Sequence, residues 1–160
     1  MDKDGSWSEK KHFVEDAGLL FEQGGMPRMA GRIIGWLLIC NPPHQSLPEL
    51  AEILGASKAS ISTMTRLLLQ MGLVERVGLP GLRRDHYRVK PGAFDNVMQQ
   101  HLHEVNAGLQ LAERGLELVA SQPPELKQRL KEVRELYAFF GREYPLLLER
   151  WEKERKKQSR

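Results

Sequence analysis

The chain has 160 residues, 41% of them hydrophobic and 28% charged, with a net charge of +3 and a single cysteine, Cys40. That length holds one ordinary domain, or one domain with a helical extension. One cysteine excludes an internal disulfide and a cysteine-built zinc cage. No apolar run is long enough to span a bilayer and MDKDGSWSEKK lacks the form of a signal peptide, so a cytoplasmic protein without membrane attachment is expected.

Residues 1–5 read as a frayed end. Ser6 and Glu9 match a capping box, opening a helix with Phe13, Ala17, Leu20 and Phe21 on its apolar face. Gly24-Gly25 ends it. Pro27 suits the first turn of a second helix reaching about Cys40, closed by Asn41-Pro42-Pro43. Gly31 and Gly35 lie four apart within it, at a joint cost of about 2 kcal/mol relative to alanine. Close approach of a neighbouring helix is expected to offset that cost. Arg28 and Arg32 on the adjoining face suit solvent or ion pairs better than phosphate.

The stretch at 46–71, SLPELAEILGASKASISTMTRLLLQM, reads as a helix-turn-helix. Ser46 and Glu49 form a second capping box, and Pro48 falls in the first turn. Leu50, Ile53 and Leu54 give the short helix its apolar face, and Ala51 is small where two helices cross. Gly55 is the residue best suited to the left-handed turn that follows. Ser57 then caps a helix with Ile61, Met64, Leu68 and Met71 on its buried stripe. Opposite that stripe lie Ala59, Ser62, Thr63, Arg66 and Gln70. A face that is small near the helix start and polar and basic further along suits base edges in a major groove. A merely solvated face would carry more Glu and Lys.

Two β-prone runs, at 72–78 and 85–89, flank Pro80-Gly81 and predict a hairpin, the wing of a winged helix. Its tip carries Arg83 and Arg84, placed for flanking DNA. A solvated hairpin whose arginines pair with Asp85 and Glu75 is the alternative. From 57 to 90 seven basic side chains stand against two acidic ones, a local charge of +5 that leaves −2 for the rest of the chain. The positive charge is concentrated where DNA would lie.

Pro91 opens a long helix to about Ser121, with Gly108 and Gly115 seven apart. After Pro123-Pro124 a last helix runs from about Glu125 to Lys157. Leu126, Leu130, Val133, Tyr137, Phe140, Tyr144, Leu147 and Trp151 give it a sustained heptad. Pro145 is expected to interrupt it with a kink near Gly141. Each helix, roughly 45–50 Å long, exceeds what a winged helix can cover. An antiparallel hairpin that completes its burial against a second copy is expected. The fold class is therefore mainly α: a winged helix-turn-helix with a two-stranded wing and a long C-terminal helical hairpin for dimerisation. Residues 1–25 form an N-terminal helix packing on the dimerisation region, 26–90 the DNA-binding domain, and 91–160 the dimerisation region.

The run GGMPRMAGRIIGWLLICNPPHQSLPELAEILGASKASISTMTRLLLQMGLVERVGLPGLRRDHYRV closely resembles the GbsR-like branch of the MarR-type winged-helix transcriptional regulators. The resemblance extends from about Phe13 to Val89. It is strongest at Pro27-Arg28, Gly31-Arg32, Gly35, the 57–66 helix and Pro80-Gly81; the last two helices match in layout. It implies a dimeric DNA-binding repressor or activator, with recognition residues carried onto Ser57, Lys58, Ser60, Ser62, Thr63 and Arg66. MarR-type wings place an acidic residue two before a basic one. Asp85 followed by Tyr87 departs from that order, so the resemblance does not say which of Arg83 and Arg84 reaches DNA. Some regulators of this branch are associated with choline-type effectors, which want an aromatic cage. Trp7, Phe13, Trp36, Phe94, Tyr137 and Phe140 supply one only if they converge, and core packing is the commoner use of such residues. Nothing near Cys40 marks it as a redox sensor.

The expected function is that of a sequence-specific transcriptional regulator, a homodimeric repressor reading an inverted repeat. The 57–71 helix enters the major groove and the 76–88 wing lies on flanking DNA. Its partners are double-stranded DNA and a second copy of itself, with a small-molecule effector left open. The rival is a winged helix used only to dock proteins, which would present an apolar or acidic face in place of Ser62, Thr63, Arg66 and Gln70. Double-stranded RNA is disfavoured because its major groove is too narrow for a helix. An enzyme is the weakest reading: His12, His44, His86, His101 and His103 are scattered, and no phosphate loop, nucleophile elbow, metal set or cofactor motif is present.

Overall fold

The structure, a computed structural model, describes residues 3–158. In chain order these form helix α1 (Lys3–Gln23), α2 (Arg28–Ile39), strand β1 (Gln45–Ser46), α3 (Leu47–Leu54), α4 (Lys58–Gln70), β2 (Val74–Val77), β3 (His86–Val89), α5 (Ala93–Leu118) and α6 (Pro124–Gln158). The chain divides into two units, one ending at Ala93 and one beginning at Phe94.

In the first unit α2 is the central helix, with Ala30, Gly31, Ile33, Ile34, Gly35, Trp36 and Leu37 all buried. Its glycines are there for α1. A Cβ on Gly31 would stand 2.6 Å from the Ala17 carbonyl oxygen, and one on Gly35 would stand 2.6 Å from Ala17 Cβ. The close approach expected from the glycine spacing is present, and packing offsets the helix-propensity cost.

That approach also corrects the reading of α1. Its smallest residues, Ala17 and Gly18, nest on the α2 glycines and draw Val14 into the core, while Phe13 and Leu20 are exposed. The buried stripe keeps Ala17 and Phe21 of the expected face and exchanges Phe13 and Leu20 for Val14 and Gly18, a rotation of about 60°. Ser6 is not a cap, because α1 already runs from Lys3. Of the end expected to fray, residues 1 and 2 lie outside the described residues. The face of α1 that is occupied in this unit is on α2, so residues 3–23 fold with the helix-turn-helix unit.

The turn signals in the helix-turn-helix act as anticipated. Ser46 and Glu49 close a capping box, and Gly55 adopts φ 58°. The side chain of Ser57 accepts the Ser60 N–H at 3.1 Å. Ile61, Thr65 and Leu68 are the buried residues of α4, whereas Met64 is half-buried and Met71 exposed. Thr65 lies about 40° from Ile61 around the helix and Met64 about 60°. The core therefore takes the small hydroxyl residue and leaves Met64 at its edge.

The hairpin forms with Val74 opposite Val89 and Val77 opposite His86. Gly81 at φ 82° sits third in a tight turn that the Leu82 N–H closes onto the Leu79 carbonyl at 3.1 Å. Sequence reading did not anticipate β1, which pairs antiparallel with β3 and makes the sheet order β1-β3-β2. Two residues carry no periodicity to detect. Their effect is to tie the base of the wing to the residue that caps α3.

The second unit is the α5–α6 pair. A Cβ on Gly108 would fall 2.7 Å from Tyr137 Cδ1, and one on Gly115 would fall 2.9 Å from Leu130 Cδ2. Tyr144 donates to Met98 Sδ at 3.6 Å and Trp151 Nε1 to Asp95 at 2.8 Å. Residue numbers rise on one helix as they fall on the other, so the hairpin is antiparallel. In one half of the heptad, Leu130, Tyr137 and Tyr144 are half-buried against α5, and Trp151, itself 47% exposed, meets it through Asp95. The other half, Leu126, Val133, Phe140 and Leu147, is 42 to 56% exposed, and no described residue of α6 is buried. The helix is continuous through Pro145. The proline removes one backbone bond among about thirty, and the flanking turns carry the helix across. No helix among the described residues is long and apolar enough to cross a membrane.

Candidate nucleic-acid interface

The surface of α4 follows from its cap and its buried stripe. With Ile61, Thr65 and Leu68 inward, Ala59, Thr63, Arg66 and Gln70 are exposed and Ser62 lies half-buried at the margin. Lys58 is exposed in the first turn and Ser60 is half-buried. Ser57 spends an acceptor lone pair on the Ser60 N–H, so what it can still offer DNA is its hydroxyl proton. Neither Lys58 nor Arg66 has an ion-pair partner among the described residues.

The wing divides its arginines into two kinds. Arg76 pairs with Asp85 at 3.4 Å, and Arg88 pairs with Glu75 at 2.6 Å. Arg83 and Arg84, at the tip, are exposed and have no acidic partner among the described residues. The solvated-hairpin alternative therefore describes the strands and not the tip. Asp85, the residue that departs from the MarR wing order, is held by Arg76 and leaves both tip arginines their charge.

Wing and helix-turn-helix meet at Glu49. Its carboxylate accepts the Ser46 hydroxyl at 2.6 Å and the Ser46 N–H at 2.7 Å. Those bonds, the hydroxyl first, hold its pKa below the usual glutamate value against partial burial, and His86 and His44 add to the lowering. His86 is buried beneath the wing. Its Nδ1 lies 3.0 Å from the Arg84 carbonyl, which can only accept, so Nδ1 carries the proton; Nε2 lies 3.7 Å from Glu49. His44 stands edge to face with His86 at 5.2 Å. Sequence reading left these histidines among the scattered ones. The sole signal available was the capping-box Glu49, because the strand pairing that brings 86 beside 46 is non-local.

Arg28 and Arg32 meet protein. Both pair with Glu15 of α1, at 3.0 and 2.7 Å. The six aromatics considered for a cage are divided between the units. Trp7 and Trp36 stand edge to face at 5.6 Å, and Lys11 Nζ lies 5.3 Å from the Trp7 ring centre. That ring already has a cation from the chain itself. Cys40 is buried and donates to the Leu37 carbonyl, and burial pushes its thiol pKa up, the reverse of a redox sensor.

The HTH-type transcriptional regulator MmpR5 of Mycobacterium tuberculosis is 39% identical over 139 residues, covering 87% of this chain and 84% of its own length. The chain belongs to the MarR family of transcriptional regulators. The family model for MmpR5-like MarR regulators matches residues 92–154 of this regulator, the helices whose resemblance was one of layout only. An IclR helix-turn-helix model matches 30–78. A crystal structure of a transcriptional regulator superposes with a TM-score of 0.73 at 37% identity, over 91% of this chain and 99% of that one. The HTH-type transcriptional repressor OpcR of Bacillus subtilis is 31% identical over 81 residues, 51% of this chain and 43% of its own length. The regulator binds DNA through its helix-turn-helix, and like its relatives it is not an enzyme.

Proposed function

We propose that this MarR-family regulator is a cytoplasmic homodimeric repressor. It reads an inverted repeat with α4 in the major groove, and Arg83 and Arg84 lie on flanking DNA. The observation that carries the reading is Arg66: exposed, without an acidic partner among the described residues, and on one face with Ala59, Thr63 and Gln70. Ser62, Thr63 and Arg66 face base edges, while Ser57, Lys58 and Ser60 at the helix start hold phosphates. A protein-docking face would be apolar or acidic here.

The second copy is argued from the exposed half of the α6 heptad. Leu126, Val133, Phe140 and Leu147, and also Leu136, Phe139 and Leu146, are 42 to 58% exposed on one helix, and so many large apolar side chains in water mark an interaction surface. Phe13 and Leu20 on α1 are exposed as well, and that uncovered apolar face supports residues 1–25 packing on a dimerisation region. Repression is carried over from the relative OpcR, an HTH-type transcriptional repressor, and the GbsR-like branch from the residues at Pro27-Arg28, Gly31-Arg32 and Pro80-Gly81. Selection of bound fragments from random duplex DNA tests the whole. The expected product is an inverted repeat with half-sites about one helical turn, roughly 10 bp, apart. Recovery of fragments with no shared sequence would reject it.

A further inference from the structure

The turn between α3 and α4 is held from outside by one side chain. At a helix C-terminus the last four carbonyls lack intrahelical partners. In α3, Ala51 and Glu52 recover theirs from the N–H groups of Ala56 and Gly55. Leu54, the last residue, receives Nη2 of Arg32 at 3.0 Å. The same guanidinium gives its Nε to Glu15 of α1 at 2.7 Å. Its stem is packed as well: Gly18 has no Cβ where Arg32 Cγ lies, and one built there would be 2.8 Å away. A cation at a helix C-terminus is favoured by the dipole, and an arginine fork can meet a carboxylate and a carbonyl in two directions at once.

We infer that Arg32 is a positioning residue for DNA recognition, coupling α1 to the turn that aims α4. The inference rests on α4 being the reading helix. Arg32 touches no base in this scheme. It fixes the exit of α3, and Gly55, Ala56 and Ser57 then set the direction in which α4 leaves. Arg28 shares Glu15 but has no bond to the turn, which makes it the internal control.

The test measures affinity for the selected inverted repeat and for random duplex at two salt concentrations, with thermal melts alongside. Arg32→Lys keeps the charge but cannot span both acceptors; Arg32→Gln loses the charge. Both are expected to reduce discrimination between cognate and random DNA by about tenfold, the equivalent of one lost charged hydrogen bond, with the salt slope unchanged. Glu15→Gln should produce part of that loss, and adding it to Arg32→Gln should produce no more. Arg28→Gln should leave discrimination at the wild-type value. Undiminished discrimination in folded Arg32→Lys overturns the inference, as does a fall in salt slope, which would make Arg32 a phosphate contact. Arg66→Ala measured in the same series separates the two readings. Unchanged discrimination in both Arg66→Ala and Thr63→Ala rejects α4 as the reading helix, whereas a loss in Arg66→Ala with none in the Arg32 variants rejects positioning alone.

Discussion

Replacing Arg66 by alanine isolates base reading from everything else this surface does. Arg66 is exposed and makes no ion pair among the described residues, so its removal should change folding stability by less than about 0.5 kcal/mol. Its whole effect should fall on DNA. If the guanidinium meets a guanine edge, the bidentate pair is worth about 1–3 kcal/mol of discrimination, a factor of roughly five to a hundred and fifty. The loss should appear at one position of each half-site and leave the salt slope nearly intact. Arg84→Ala supplies the contrast, since a tip arginine with no acidic partner should neutralise phosphate. Each lost phosphate contact should flatten the slope of log affinity against log salt by about 0.9, hence nearly two for a dimer. Arg76→Ala and Arg88→Ala should do less, their charges being already matched by Asp85 and Glu75. The assay is competition binding on point-mutated operators at two salt concentrations. An Arg66→Ala protein weakened equally on cognate and random DNA, with a flatter slope, would make Arg66 a phosphate clamp and refute the assignment.

Phe140→Glu and Leu147→Glu place charge on the exposed half of the α6 heptad and should yield monomers that bind the operator weakly; sedimentation of the intact protein as a monomer at micromolar concentration would remove the dimer argument. Gly31→Ala drives a Cβ to 2.6 Å from a backbone oxygen, so the overpacking cost of about 1–3 kcal/mol should exceed the roughly 1 kcal/mol of helix propensity gained; a urea midpoint at or above wild type would contradict the α1–α2 contact. Glu49 has a lowered carboxyl pKa, so its contribution is fully present above the ordinary glutamate value and is lost as pH falls through the lowered one. The melting-temperature gap between wild type and Glu49→Gln should therefore be constant near neutrality and close only as pH falls below the ordinary glutamate value of about 4.3; a gap that widens on acidification would reverse the sign.

What the sequence determined by itself were the features whose physics is local. Ser46 with Glu49, Ser57 with the Ser60 N–H, and Gly55 and Gly81 at positive φ are satisfied within a few residues of themselves, so composition and spacing sufficed to locate them. The outward face of α4 was legible for the same reason, because a 3.6-residue period assigns faces without knowledge of the partner. MarR-type membership was legible too, through the resemblance carried by Pro27-Arg28, Gly31-Arg32, Gly35 and Pro80-Gly81, and the relatives show that family. What only the tertiary structure decided depended on which neighbour arrives. The sequence offered Phe13, Ala17, Leu20 and Phe21 as the inner face of α1; the glycines of α2 kept Ala17 and Phe21, added Gly18, and turned Phe13 and Leu20 outward. The heptad of α6 read as a single seam, yet Gly108 and Gly115 accept only Tyr137 and Leu130, and the other half is left exposed. Arg28 and Arg32 were indistinguishable in sequence, one turn apart on one face. Only the packed unit brings the Leu54 carbonyl, 22 residues away, within reach of Arg32 and not of Arg28. A side chain's partners across such a distance are set by helix packing, which no local period records.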